Sequence, residues 1–338
     1  MQVFRRGEPI TPLSRLKRIK PYWLRQPSWL VKIRNWRYAH GTLPRIVKPA
    51  TFNEKVLHRN LFERREDFTR IADKAAVRRY VEERVGPDLL PRLYHVTTCP
   101  ETIPFDELPD RFVVKPTHGS GWVKIVRDKA TIDRAALLAT CRAWLQRDYY
   151  RETREIAYRG IQPQILIEEY IDDGSGATPN DYKCFVFGGH VEVIQADVDR
   201  FTHHRQLFYS PAWEKLDVRY LSDDISGEVP RPTHLTEMIT AAEALCREFE
   251  FVRADFYDTR DRLFFGELTL TPNEGCVPFR PAEFDHYLGS LWKPLERRRL
   301  QTTSVRLTPK RHRRPGLDQF RRPTAGSPLE HRVPHQRQ

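Results

Sequence analysis

The chain has 338 residues, of which 39% are hydrophobic, 11% aromatic and 30% charged, enough for one large domain or two to three lobes around a substantial core. Its net charge of +12 is uneven: residues 1–50 hold 12 Lys/Arg against one acid and residues 297–338 hold 12 against two, leaving 33 Lys/Arg against 42 Asp/Glu in residues 51–296. An acidic body with basic ends speaks against a nucleic-acid-binding globule, which carries a basic face, so no specific nucleic acid is expected as a partner.

No stretch approaches the ~20 apolar residues of a membrane span, and the opening MQVFRRGEPITPLSR lacks the apolar centre of a secretion signal. The five cysteines, Cys99, Cys141, Cys184, Cys246 and Cys276, are scattered and form no CxxC pair. A disulfide framework or zinc site is therefore not expected, and a cytoplasmic setting fits the composition.

In chain order, residues 1–48 interleave Tyr22, Trp23, Trp29, Trp36 and Tyr38 with arginines and lysines. Two readings compete. One is a peripheral anchor at the inner face of a membrane, with indoles at headgroup level. The other is a helical extension that packs its tryptophans on the core, because Pro21 and Pro27 interrupt any long amphipathic helix.

Thr51-Phe52-Asn53-Glu54 has capping-box spacing and predicts a helix over 52–62. Asp73 is a good N-cap for a helix over 74–85, with Val77, Val81 and Val85 on one side and Gly86-Pro87 ending it. RFVVKP (111–116) reads as a strand, and HGSGWVKIV (118–126) as a glycine loop leading into a second. Apolar periodicity marks a helix over 132–147.

QILIEEYI (164–171) reads as a strand stopped by a loop at 172–176, and residues 181–198 as a hairpin turning at Gly188-Gly189. A helix near 236–249 precedes two strands, 251–257 and 262–269. Proline-rich, basic residues 297–338 show no apolar periodicity and read as a disordered tail. The order is mixed without βαβ alternation, so an α+β architecture is expected.

The last strand pair carries ionised groups where a simple buried strand would not. Arg253 and Asp255 share one face of the first strand, and Glu267 and Thr269 share one face of the second. Whether these faces coincide depends on the turn. A three-residue loop puts Arg253 opposite Glu267, whereas a two-residue loop turns Glu267 to the other side. If they coincide, Asp255 and Glu267 are hard ligands suited to Mg²⁺ with phosphate oxygens.

The glycine loop His118-Gly119-Ser120-Gly121 lets backbone amides approach phosphate, and it follows Lys115, which closes an apolar strand. Lys74 at a helix start opposes the macrodipole, a conflict that a bound anion would resolve. Glu168-Glu169-Tyr170-Ile171 ends a strand, and reads either as backbone groups that meet an adenine edge or as a charged strand end. Asp181 and Lys183 share a face of the next strand. His203-His204 reads as loop surface.

Taken in series, TFNEK (51–55), ADKAAVR (72–78), FVVKPTHGSG (112–121), ILIEEYI (165–171), DYKCFVFGG (181–189), VRADFY (252–257), GELTLTPNEG (266–275) and LGSLW (288–292) resemble the TupA-like family of the ATP-grasp superfamily, linked to teichuronopeptide and other cell-surface polysaccharide synthesis. The resemblance covers about 49–295 and implies nucleotide held between two α+β lobes. It divides the chain into a basic extension (1–48), an N-terminal part of the body (49–105), a small lobe with the glycine loop (106–171), a lobe with the metal site (172–296) and the tail (297–338).

It further implies that Lys74 and Lys115 hold ATP phosphates under the 119–121 loop. Residues 168–171 would meet adenine, Asp181 the ribose, and Asp255 and Glu267 would hold Mg²⁺, with Arg253 and Lys115 stabilising the transition state. Glu-x-Asn is common at this metal site, whereas this chain has Glu267-Leu268-Thr269.

The expected activity is an ATP- and Mg²⁺-dependent ligase joining a glycan or small-molecule carboxylate to an amine. The alternatives are a phosphotransferase on the same fold, or a non-catalytic basic-ended binding protein.

Overall fold

The structure is a computed structural model that describes residues 27–174, 179–198, 204–294 and 316–321. Helix α1 (Ser28–His40) starts after Pro27 and stops at Gly41, which adopts φ 71°. Its inner side buries Val31, Lys32 and Trp36, and the Trp36 ring stacks on His40 at 3.9 Å. Of the aromatic residues flagged in the N-terminal stretch, Trp36 packs on the core while Trp29 and Tyr38 are exposed; Tyr22 and Trp23 lie outside the described residues.

Helix α2 (Phe52–Phe62) opens with the expected capping box, Thr51 accepting from the Glu54 amide and Glu54 returning to the Thr51 amide. The TFNEK segment is a latch. The Asn53 amide donates to Asp285 Oδ1 at 2.9 Å, and Lys55 Nζ donates to the carbonyls of Gly289 and Trp292 at 2.9 and 2.6 Å.

Helix α3 (Glu66–Ala72) is followed by α4 (Ala76–Val85). Asp73 caps this turn from outside the helix, accepting from the Ala75 amide at 2.9 Å. Lys74 therefore sits in the turn and not on the first helical position, and its backbone amide donates to the Thr117 carbonyl at 3.2 Å.

The small lobe is an antiparallel sheet of β1 (Leu93–Thr97), β2 (Phe112–Pro116), β3 (Lys124–Val126) and β4 (Ile165–Glu169) in the order β1-β4-β2-β3. Alternation buries Phe112, Val114, Ile165 and Ile167 against Leu137, Cys141 and Trp144 of α5 (Arg134–Leu145). A short helix α6 (Tyr149–Thr153) follows.

The second sheet has six antiparallel strands: β5 (Asp181–Phe187), β6 (His190–Val198), β7 (Arg205–Tyr209), β8 (Lys215–Leu216), β9 (Phe251–Asp258) and β10 (Leu263–Thr269), in the order β10-β9-β5-β6-β7-β8. One face carries Cys184, Val186, Ala254 and Phe256 against helix α7 (Leu235–Cys246), and α3 and α4 join the same core through Phe68, Ile71 and Val81. The opposite face is apolar at one end, where Phe185, Phe208 and Phe251 meet Phe52 and helix α8 (Ala282–Leu291). Towards the small lobe that face turns polar.

Two bulges produce this polar end. The hairpin β5–β6 turns on Gly188 and Gly189 at φ 55° and 83°, pairing Phe187 with His190 and Val186 with Val191. Glu192 is then extra, so Phe185 pairs with Val193, Lys183 with Gln195 and Asp181 with Asp197. Hairpin β9–β10 repeats the device. Asp258 pairs with Leu263 in a two-residue register, but Gly266 is extra, so Asp255 pairs with Glu267 and Arg253 with Thr269.

Neither turn considered from the sequence describes this hairpin. The two-residue turn forms, and the bulge reverses its consequence, bringing Glu267 to the face of Asp255. Gly266 suits the position because a Cβ there would lie 3.1 Å from the Asp255 carbonyl oxygen.

The segment 297–338, read as disordered from composition, contains six described residues, of which Leu317 and Phe320 are buried. Leu317 and Phe320 enter the core of Phe284 and Leu288, and Arg321 bridges to Leu216. The rest of that segment lies outside the described residues.

Candidate active site

A narrow cleft, partly open to solvent, separates the small lobe from the six-stranded sheet. Lys74 and Arg78 line it on the α4 side, Lys115 and Glu168 on β2 and β4, and Gly266 and Glu267 on β10. The two lysines and the carboxylate singled out from the sequence thus face one space.

Lys115 Nζ pairs with Glu168 Oε1, and Arg78 Nη1 lies 3.5 Å from Glu168 Oε2. Lys74 Nζ donates to the Gly119 carbonyl, so the glycine loop closes onto a lysine. Burial lowers the Lys74 pKa, Glu267 raises it, and Lys115 lowers it again. An anion placed between the two lysines would relieve both penalties.

The polar face of the second sheet continues from Glu267 as a buried cluster beside the cleft. Arg253 holds Asp255 with both prongs, and its Nη2 lies 3.1 Å from Thr269 Oγ1 and 3.5 Å from Glu267 Oε1. Lys183 Nζ pairs with Asp181, and reaches Asp255 Oδ2 at 3.1 Å and Asp197 Oδ2 at 3.9 Å. Burial works against the Lys183 charge, but Asp181, Asp255 and Asp197 together push its pKa up. Burial raises the Asp255 pKa to about 6 against the pull of Arg253 and Lys183.

Glu267 moves oppositely. Burial is outweighed by Lys74, Arg253 and Lys183, which hold it down at about 2. Its side chain is still 38% exposed, so water screens part of that pull. Thr269 Oγ1 donates to Glu267 Oε1 at 2.8 Å, occupying the place where asparagine is common in the resemblance.

Asp255, Glu267 and Thr269 thus offer hard oxygen donors on one face, a set that suits Mg²⁺. Among the described residues no group of three or more His, Cys, Asp or Glu side chains forms a cage. A divalent ion here would draw the rest of its shell from phosphate oxygens and water.

Some expected site residues point elsewhere. His118 is turned into the small lobe, its Nε2 at 3.0 and 3.2 Å from the carbonyls of Trp144 and Arg147. Ser120 bonds the hydroxyl of half-buried Tyr158, and Gly121 adopts φ 72°.

The strand at 164–171 ends at Glu169, so the backbones of Glu168 and Glu169 are committed to the ladders with β1 and β2. The Glu169 carboxylate accepts from the Arg92 amide at 2.9 Å. Tyr170 lies between Arg111 and Arg127, and its hydroxyl accepts from Arg127 at 2.9 Å. Only Tyr170 and Ile171, beyond the ladder, keep the free-strand-end character expected of the whole segment.

His204, read as loop surface, lies 3.6 Å from Asp197 Oδ2; His203 is outside the described residues. Gln195 and Gln206 donate to Asp197 Oδ1 at 2.6 and 3.1 Å. This extension was hidden because a plain Gly-Gly hairpin turns Gln195 and Asp197 to the opposite face. Arg78 was detectable, since it lies one helical turn beyond Lys74. Tyr158 sits in irregular chain with no periodic signal.

Behind β10, Lys32 of α1 donates to Glu274 at 2.6 Å, and buried Glu155 accepts from Thr271 at 3.1 Å. Asn273 and Glu274 adopt φ 46° and 57°, so the chain leaving the carboxylate strand makes a tight left-handed turn pinned by the N-terminal helix.

Two antiparallel lobes closing lysines and carboxylates around one cleft define an α+β protein of the ATP-grasp class. Residues 54–293 match the family model of the TupA-like ATPgrasp proteins, and the chain belongs to that family. A search of curated proteins returns no match.

Among solved structures, it is similar to D-alanine–D-alanine ligase from Bacillus anthracis complexed with ATP (18% identity, TM-score 0.37, covering 60% of this chain and 54% of that one). It is also similar to the Helicobacter pylori D-alanine–D-alanine ligase (15%, 0.38, 66% and 61%) and to the ATP-grasp ligase PsnB with precursor peptide PsnA2 and AMPPNP (14%, 0.36, 68% and 60%). The chain spans little more than half the length of these structures.

Proposed function

We propose that the protein is an ATP- and Mg²⁺-dependent carboxylate–amine ligase acting on a cell-surface polysaccharide or its precursor. The observation that carries this reading is the convergence of Lys74, Lys115 and Glu267 on one cleft, with Arg253 and Asp255 buried next to Glu267. Membership in the TupA-like family supports the nucleotide and the glycan setting.

In this reading a substrate carboxylate oxygen attacks the γ-phosphorus of ATP, the bond to the β,γ-bridging oxygen breaks, and ADP leaves. An amine nitrogen then attacks the acyl carbon, phosphate departs, and the nitrogen gives up a proton. Lys74 and Lys115 hold the phosphates, and the 119–121 loop covers them. Tyr170 and Ile171 meet the adenine and Asp181 the ribose. Arg253 stabilises charge developing on the transferred group.

Asp255, Glu267 and Thr269 would hold Mg²⁺, which when bound neutralises phosphate charge. Lys115 leaves Glu168 for phosphate, so Glu168 holds the lysine in place until nucleotide binds.

The test is Mg²⁺-dependent ATP binding, followed by ADP release across a panel of uronic acids and amino acids with hydroxylamine present. A hydroxamate supports the acyl-phosphate. A stable phosphorylated product would overturn the ligase in favour of a phosphotransferase.

A further inference from the structure

Of the nine large hydrophobic side chains exposed among the described residues, five lie between positions 29 and 47: Trp29 (52%), Leu30 (42%), Tyr38 (59%), Leu43 (68%) and Val47 (89%). At 100° per residue, Trp29, Leu30, Arg34, Arg37 and Tyr38 occupy one side of α1, opposite the buried Val31, Lys32 and Trp36. Residues 27–50 contain no Asp or Glu. The outward patch is therefore aromatic, aliphatic and purely cationic.

We propose that the outer face of α1 and the following loop dock on an anionic lipid surface. Indole and phenol rings suit the headgroup layer, and aliphatic tips the acyl boundary, while Arg34, Arg37 and Lys48 meet lipid phosphates. Charge complementarity selects this occupant. The chain's two terminal stretches share the patch's sign, with seven Lys/Arg against one acid in residues 1–26 and 12 against two in residues 297–338, and so repel it. A second copy of the patch would meet it with like charge.

The helix is not a detached appendage. Its inner face anchors Lys32 on Glu274 at 2.6 Å and His40 on the Gly275 carbonyl at 2.8 Å, directly after the strand that bears Glu267 and Thr269. A lipid surface bound on the outer face is thereby tied to the active-site sheet.

The experiment is co-sedimentation of the full chain with vesicles of phosphatidylcholine alone or mixed with phosphatidylglycerol. The comparison is wild type against the double variant Trp29→Ser, Leu30→Ser, which leaves the charge unchanged. We expect partitioning onto the phosphatidylglycerol vesicles only, weakened on the order of tenfold in the variant, in line with the loss of two buried apolar side chains. Thermal unfolding and Mg²⁺-ATP binding should be the same in both proteins, which separates this result from any failure of the proposed activity.

Equal sedimentation of variant and wild type would overturn the proposal, because the basic ends alone would then account for binding. So would equal binding to both vesicle types, no binding at all, or tighter capture by RNA than by anionic vesicles.

Discussion

Arg253 grips Asp255 through two parallel hydrogen bonds, Nε to Oδ1 at 2.7 Å and Nη2 to Oδ2 at 2.6 Å. Lys183 shares the second oxygen at 3.1 Å. Two cations of the chain thus occupy the carboxylate that the proposed ion would claim, and ion binding has to draw Asp255 away from them.

Asp255→Asn keeps the shape and removes the charge. The Mg²⁺-dependent part of ATP binding should vanish, and stability should fall by about 3 kcal/mol, because Arg253 and Lys183 lose a buried partner. Calorimetric titration with and without Mg²⁺, alongside urea unfolding, reads both. Wild-type Mg²⁺ dependence in the variant would remove Asp255 from the site.

Lys74→Ala and Lys115→Ala should each weaken ATP binding about 10- to 100-fold, the usual worth of one charged hydrogen bond. Lys115→Ala also frees Glu168, so its apo form should lose stability, whereas Lys74→Ala relieves a desolvated cation. Nucleotide titration and thermal melts of the two variants distinguish these effects. Unchanged ATP affinity in Lys115→Ala would refute the phosphate role.

Gly266→Ala puts a methyl group 3.1 Å from the Asp255 carbonyl oxygen and 3.3 Å from the Tyr257 ring. Crowding of this kind costs about 1–3 kcal/mol, and relief by flattening the bulge would rotate Glu267 off the cleft. Denaturant unfolding should show the loss of stability, and Mg²⁺-ATP titration a loss of affinity larger than Lys74→Ala causes. A neutral substitution would mean the bulge is not tightly packed.

Glu155 supplies a pH prediction. Burial, then Glu274, raises its pKa from 4.5 to about 7, so the folded state keeps a proton that the unfolded state has already released. The contribution of Glu155 to stability is therefore greatest below about pH 4.5, falls as pH rises to about 7, and levels off above it. Glu155→Gln should flatten that slope and stabilise the protein at neutral pH by about 3 kcal/mol. Urea midpoints across this range test it, and an unchanged slope would exclude Glu155 as the cause.

Much of the architecture was legible because it rests on local chemistry. The capping box at Thr51 and Glu54, the Gly188-Gly189 turn and the alternation in 112–116 each act over a few residues, and each structure formed where those residues predict it. The candidate residues converge, but their partners were not legible. That Glu168 holds Lys115, and that His118 faces the carbonyls of Trp144 and Arg147, are choices made by tertiary packing. Asp197 and Gln195 escaped notice because one extra residue at Glu192 reverses a side that strict alternation would assign. The packing of Leu317 and Phe320 was masked by the basic, proline-rich residues around them.

Gly266 also sets a spacing. A three-residue turn with no bulge would bring Glu267 to the right face, but opposite Arg253 and two residues along from Asp255. Carboxylates in that diagonal arrangement stand about 7–8 Å apart at their Cα atoms, against roughly 5 Å for residues directly opposite. The second separation sets the two side chains directly side by side. Turn length could have chosen the side of the sheet, but it is the inserted glycine that sets Asp255 and Glu267 directly opposite each other.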